Sequence, residues 1–238
     1  ELVAPVVFRV ATEPACAAAL QGTRLARLMA RWHHVLNANT RRGSRRNISA
    51  HYDLGNDFYA AWLDPRLIYS GALYGPEDAT LEQAQSRKMA RIAQLLALEP
   101  GQHVLEIGCG WGALAIDFAR KHGVRVTGVT LSHRQLAHAR AEVTRAGQDG
   151  AVQLHLQDYR ELRGRFDRIV SIEMLEAVGE AYWPLYFDTL RERLRPGGCA
   201  VLQVILIDDA HFANYRRGTD FIQRHIFPVG MLPSATAI

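Results

Sequence analysis

Glu106-Ile107-Gly108-Cys109-Gly110-Trp111-Gly112 places a carboxylate two residues ahead of three alternating glycines. Glycine turns where other residues cannot, and without a Cβ it lets a ligand lie against the backbone. The pattern is G-x-G-x-G, which differs from the G-x-G-x-x-G of dinucleotide enzymes and lacks the Lys-Ser/Thr of a phosphate loop. A glycine turn alone also serves any tight strand–helix connection. Two carboxylates make it more informative here. Glu106 stands where it could meet a positive group on a ligand, and Asp158 where it could meet an adenine amino group. The three cysteines, Cys16, Cys109 and Cys199, are odd in number and irregular in spacing. They suggest neither a disulfide framework nor a metal site, and their natural setting is a reducing cytoplasm.

The elements around these residues alternate. Thr80-Leu81-Glu82-Gln83 has capping-box spacing, and Leu81, Met89, Ile92, Leu95 and Leu96 give the following helix an apolar face that Pro100-Gly101 should end. A short apolar strand is expected over 104–107, a helix over 113–122 and a strand over 124–130. Ser132 and Gln135 form a second capping box for a helix to about Ala146. Strands over 152–156 and 168–172 follow, then a helix over 183–194, a turn at Pro196-Gly197-Gly198 and a strand over 199–207 that is apolar on both faces. Such alternation predicts an α/β domain, a doubly wound parallel sheet with helices on both sides. Its ligands should lie at the carboxyl ends of the strands, which is where the glycine turn falls.

At 238 residues the chain has room for one large domain or a domain with an appendage. With 48% hydrophobic and 22% charged residues it is globular rather than disordered. The longest apolar run, 199–207, is too short to cross a bilayer, and no signal peptide opens the chain. The net charge of +4 is unevenly placed. Residues 1–46 carry eight arginines against Glu1 and Glu13, a local net of +6, while the remainder is net −2. This segment, with an expected helix over 16–39 and a linker over 40–47, could attract an anionic surface. The acidic balance of the rest, with no aromatic-rich basic patch, argues against nucleic acid.

The sequence resembles the class I S-adenosylmethionine methyltransferases, and within them the cyclopropane-fatty-acid synthases and mycolic acid cyclopropane synthases. The resemblance rests on HYDLGNDFY at 51–59, Trp62-Leu63-Asp64, Tyr69-Ser70, VLEIGCGWG at 104–112, GVTLS at 128–132, QDYR at 157–160, FDRIVSIEMLEAVG at 166–179 and IFPVGMLPS at 226–234. It implies a Rossmann-like domain over 47–238 that binds S-adenosylmethionine. Cofactor contacts are then expected at Tyr69, Ser70, Gly108, Cys109, Gly110, Thr130, Leu131, Ser132, Gln135, Tyr159 and Arg160, beside Glu106 and Asp158. The implied substrate is the double bond of an unsaturated phospholipid acyl chain, reached by peripheral membrane contact from the cytoplasm.

Cyclopropanation asks an unactivated alkene to take a methyl group from a sulfonium, after which a base removes a proton so that the ring closes. The resemblance implies bicarbonate as that base, held by a Cys, a Glu, a His two residues before an Ile, and a Tyr. Here the Glu maps to Glu176 and the Ile to Ile205, but Gly71 stands at the Cys position and Gln203 at the His position. The tyrosine has no counterpart, and neither do two strands expected to cover the strand over 199–207. The chain therefore reads as a fragment or as one that needs a partner or oligomer. The expected anion cradle is the N–H groups of Gly71 and Ile205 with Gln203 and Glu176. Without it, the product becomes a methyl-branched or methylene chain. A small-molecule methyltransferase acting on amines or natural products, and a non-catalytic cofactor- or lipid-binding remnant, are the alternatives.

Overall fold

A computed structural model describes residues 55–218, 223 and 230–238. The arginine-rich segment and its expected helix lie outside them. Among the described residues the α-helices and strands follow in chain order: α1 (Asn56–Ala60), α2 (Leu81–Leu96), β1 (His103–Ile107), α3 (Ala113–His122), β2 (Arg125–Thr130), α4 (His133–Arg145), β3 (Val152–Leu156), β4 (Phe166–Ile172), α5 (Trp183–Arg193), β5 (Leu194–Gln203) and α6 (Asp209–Tyr215).

The strands form one sheet in the order β3-β2-β1-β4-β5, and every pairing is parallel. Both faces are covered, because side chains alternate along each strand. Val104, Val126 and Val170 pack with Met89, Phe118 and Leu136 of α2, α3 and α4. Leu105, Ile107 and Ile169 pack on the opposite side with Trp183, Tyr186 and Leu190 of α5. This is the expected doubly wound sheet. Its strand order reverses between β1 and β4, which opens a crevice at their carboxyl ends.

Local chemistry accounts for several boundaries. The Thr80 side chain accepts from Gln83 N–H while the Gln83 side chain accepts from Thr80 N–H, so the expected capping box starts α2. The second box is only half formed. Ser132 accepts from Gln135 N–H, but the Gln135 side chain turns to the Thr130 hydroxyl, 2.9 Å away. Helix α2 stops at Leu96 rather than at Pro100-Gly101, because Ala97 adopts a left-handed φ of 47°. Leu95, expected on the apolar face, is exposed.

The last strand departs most from expectation. Pro196-Gly197-Gly198 does not precede it but lies within it, as a bulge between the pairs Phe166–Leu194 and Arg168–Cys199. The strand also ends at Gln203, not at Ile207. Gln203 C=O still accepts from Glu173 N–H, but Ile205 N–H donates to the Glu176 carboxylate, which draws the backbone off the ladder. Ile205 and Leu206 are consequently exposed. A single parallel bridge, Ile207 to Ser234, then brings the segment over 230–238 alongside.

Candidate functional site

The glycine loop is held by β2. Gly108 N–H and Cys109 N–H both donate to Val129 C=O, at 2.9 and 3.0 Å. Cys109 folds beneath the loop against Gly128, where a Cβ would come within 2.9 Å of the Cys109 Cβ and 2.6 Å of Leu154. Only glycine fits there. Gly110 has φ +51° and nothing within 4 Å of where its Cβ would sit, so that face of the loop is open.

The open space is a cavity of about 560 Å³. Tyr69, Ser70, Glu106, Gly108, Cys109, Gly110, Thr130, Leu131, Gln135, Asp158, Tyr159 and Arg160 all line it. Of the expected cofactor residues, Ser132 alone is absent from the wall; it is buried as the cap of α4.

Each wall has its own positioning. Lys88 of α2 donates to the Ser70 hydroxyl at 2.6 Å, and Gln85 to Ser70 C=O at 2.8 Å. Both are almost wholly buried, and burial lowers the Lys88 ammonium to about 8. Neither was singled out from the sequence; their spacing reads as an ordinary helix face. Trp111 packs on Tyr59 and donates to Asn56 at 2.9 Å, so the glycine loop rests on the described end of the HYDLGNDFY motif. Asp158 is not free to await a ligand. Its two oxygens grip Arg160, at 2.8 Å through Nε and 2.6 Å through the terminal nitrogen, and Arg160 lies over the rings of Tyr159 and Tyr182.

Glu106 is different. It is 4% exposed, accepts from Ala115 N–H in the first turn of α3, and leaves Oε2 without a partner among the described residues. Desolvation pushes its carboxyl up to about 8. An unpaired buried carboxylate is costly unless something pairs with it.

At the other end of the cavity, after β4, stand Glu173 and Glu176. Glu173 has a φ of 48°, which is uncommon for a side chain that is not glycine. Its Oε1 accepts from Gly71 N–H and from Gln203 Nε2, each at 2.8 Å, and Gln203 also donates to Gly71 C=O at 3.0 Å. Glu176, in the helical turn Leu175–Ala177, accepts from Ile205 N–H and has a buried Oε2 with no partner among the described residues. Burial raises its carboxyl above the ordinary value. The expected cradle is thus already filled by the chain's own carboxylates. Glu173, Glu176 and Ile205 line the cavity, whereas Gly71 and Gln203 do not.

The remaining wall comes from the end of the chain. Met231 N–H donates to Glu176 C=O at 2.8 Å, and Met231, Leu232 and Tyr215 face the cavity. The motif at 226–234 carried no assigned role in the sequence, since nothing local shows that its described part, residues 230–234, returns to the turn after β4.

The family model for mycolic acid cyclopropane synthetase matches residues 39–238. The chain belongs to the mycolic acid cyclopropane synthetase family. It is 42% identical over 207 residues to tuberculostearic acid methyltransferase UfaA1 of Mycobacterium tuberculosis (strain ATCC 25618 / H37Rv), covering 84% of this chain and 48% of that protein. It is also 42% identical over 195 residues to the cyclopropane-fatty-acyl-phospholipid synthase of Escherichia coli (strain K12), covering 79% of this chain and 47% of the relative. The chain spans about half the length of these curated relatives. A crystal structure of the mycolic acid cyclopropane synthase CmaA1 complexed with SAH and CTAB superposes with a TM-score of 0.75 at 32% identity, over 81% of this chain and 71% of that one. The doubly wound sheet is thus a fold that this chain shares with a solved cyclopropane synthase.

Proposed function

We propose that this chain binds S-adenosylmethionine and methylates the double bond of an unsaturated phospholipid acyl chain. The observation that carries the reading is one continuous cavity. It joins the glycine loop and Glu106 to the Glu173–Glu176 corner through apolar walls such as Met89, Ile92, Met174 and Met231.

The residues present fit the cofactor. Glu106 Oε2 awaits a positive or hydrogen-donating group, and the loop at Gly110 is open to close approach. Thr130 and Gln135 offer polar atoms at the end of β2, where a ribose would need them. S-Adenosylmethionine, when bound, supplies a methyl group on a positively charged sulfur. The chain's residues must then exclude water, orient the alkene against that methyl and stabilise the cation that the alkene becomes. Apolar walls serve the first two tasks, and the carboxylates of Glu173 and Glu176 serve the third by charge. Bicarbonate would have to displace these carboxylates from Gly71, Gln203 and Ile205 to act here.

The acceptor lies in a bilayer, so the protein should work at the membrane surface. No described helix is long and apolar enough to span a membrane. The arginines of residues 1–46 supply a charge that anionic lipid would attract.

The test is incubation with methyl-labelled cofactor and vesicles of unsaturated phospholipid, saturated phospholipid, or a soluble amine. Label in the acyl chains of the unsaturated vesicles alone is the expected result. Label in the amine, or none anywhere while the cofactor binds, overturns the reading.

A further inference from the structure

Glu173 occupies a position that its backbone does not favour. A φ of 48° lies in the left-handed region that a residue with a side chain seldom adopts, and such strain persists where surrounding contacts impose it. Here the contacts are those an anion would make. Gly71 N–H and Gln203 Nε2 converge on Oε1 at 2.8 Å each, and neither donor reaches the cavity wall that Glu173 itself forms. Neither donor bonds the second oxygen, Oε2. The charge of Glu173 acts on Lys88, Tyr69 and Glu176, favouring the Lys88 ammonium and disfavouring ionisation of the other two.

We propose that Glu173 is the built-in base of this site, a tethered carboxylate that fills the anion position and takes the proton lost after methyl transfer. This rests on the reading of the chain as an acyl-chain methyltransferase. Transfer of the methyl leaves the cofactor as a neutral thioether and the acyl chain as a methyl-bearing carbocation. One C–H bond of the new methyl then breaks. Its electron pair closes the C–C bond of a cyclopropane, or, after a 1,2-hydride shift, forms the double bond of a methylene group. The proton goes to Glu173. No oxidant, reductant or external anion enters the balance.

Two variants separate charge from space. Glu173→Gly removes the carboxylate and suits the positive φ, so it should fold and leave the Gly71 and Gln203 donors exposed to the cavity. Glu173→Gln keeps the size of the side chain and removes its charge. The first readout is binding of ¹³C-bicarbonate, followed by NMR on the resting protein without cofactor or lipid. Glu173→Gly should bind it, and the parent and Glu173→Gln should not. Bicarbonate binding by the parent, or its absence in Glu173→Gly, overturns the assignment of the anion position whatever the substrate proves to be.

The second readout is turnover on unsaturated phospholipid, with cofactor affinity measured alongside. Both variants should lose about 100-fold in rate, the scale of a positioned general base, with cofactor affinity unchanged. Added bicarbonate should restore part of the rate in Glu173→Gly only. An undiminished rate in Glu173→Gln overturns the role as base. Absence of turnover in the parent, with the predicted bicarbonate pattern intact, would instead count against the substrate reading.

Discussion

At the scale of single residues, the site is organised by which carboxylate holds which donor. Glu173 takes Gly71 N–H and Gln203, and Glu176 takes Ile205 N–H. Gly71 therefore does more than lack a thiol. A Cβ there would come within 3.2 Å of Glu173 Oε1 and 3.7 Å of Gln203 Nε2, so a side chain at position 71 and the Glu173 carboxylate compete for space. Gly71→Cys alone should lower stability by about 1 kcal/mol and reduce turnover, since the carboxylate must shift. Combined with Glu173→Gly it should cost less than the two single changes added together, because contacting residues couple. Urea denaturation of the three variants checks this, and additive costs would show that the crowding is relieved elsewhere. The sequence placed Glu176, Gly71 and Gln203 at one corner through the resemblance. It did not show that Glu173 stands in front of two of them, because a left-handed φ after β4 is set by tertiary contacts and not by residue type.

At the scale of elements, what was legible followed from local chemistry. Thr80 and Gln83 are three residues apart, and their mutual bonds begin α2 as the sequence pattern says. What was illegible depends on partners far along the chain. The end of β5 is decided by Glu176, 29 residues before the Ile205 N–H that it captures. Helix α2 ends at an alanine because its last turn closes there, with Ala97 N–H bonded to Ala93 and Gln94 C=O. Ala97 is exposed and holds a φ of 47°, so it packs against nothing that a smaller residue would lose. Ala97→Gly should therefore stabilise the protein by about 0.5–1 kcal/mol, as glycine relieves the left-handed strain at a helix C-terminus. The thermal midpoint should rise by a few degrees with cofactor affinity unchanged. A fall would mean that the gain in unfolded-chain freedom exceeds the relief of strain.

At the scale of the whole molecule, the buried carboxylates tie stability to pH and to the ligand. Glu106 holds its proton up to about pH 8 in the folded chain against 4.5 as the ordinary value. Between those values the unfolded chain has released a proton that the folded chain keeps, so stability falls as pH rises through that window. Glu176, also raised by burial, acts in the same direction. Every tenfold difference in proton affinity between the folded and unfolded chain is worth about 1.4 kcal/mol, so Glu106 alone gives a measurable slope. Glu106→Gln should flatten it. A bound cofactor that sets a positive group beside Glu106 favours the ionised form, so it should restore stability most where the free protein has lost most. The stabilisation conferred by saturating S-adenosylhomocysteine, which retains the cofactor's ammonium, should accordingly be larger at pH 8 than at pH 6. In Glu106→Gln it should be nearly the same at both. Thermal midpoints at the two pH values, with and without the ligand, measure all four quantities. Equal ligand-induced shifts in the parent at pH 6 and pH 8 would place the ligand's positive group away from Glu106, and its unpaired oxygen at the glycine-loop end of the cavity would then belong to some other contact.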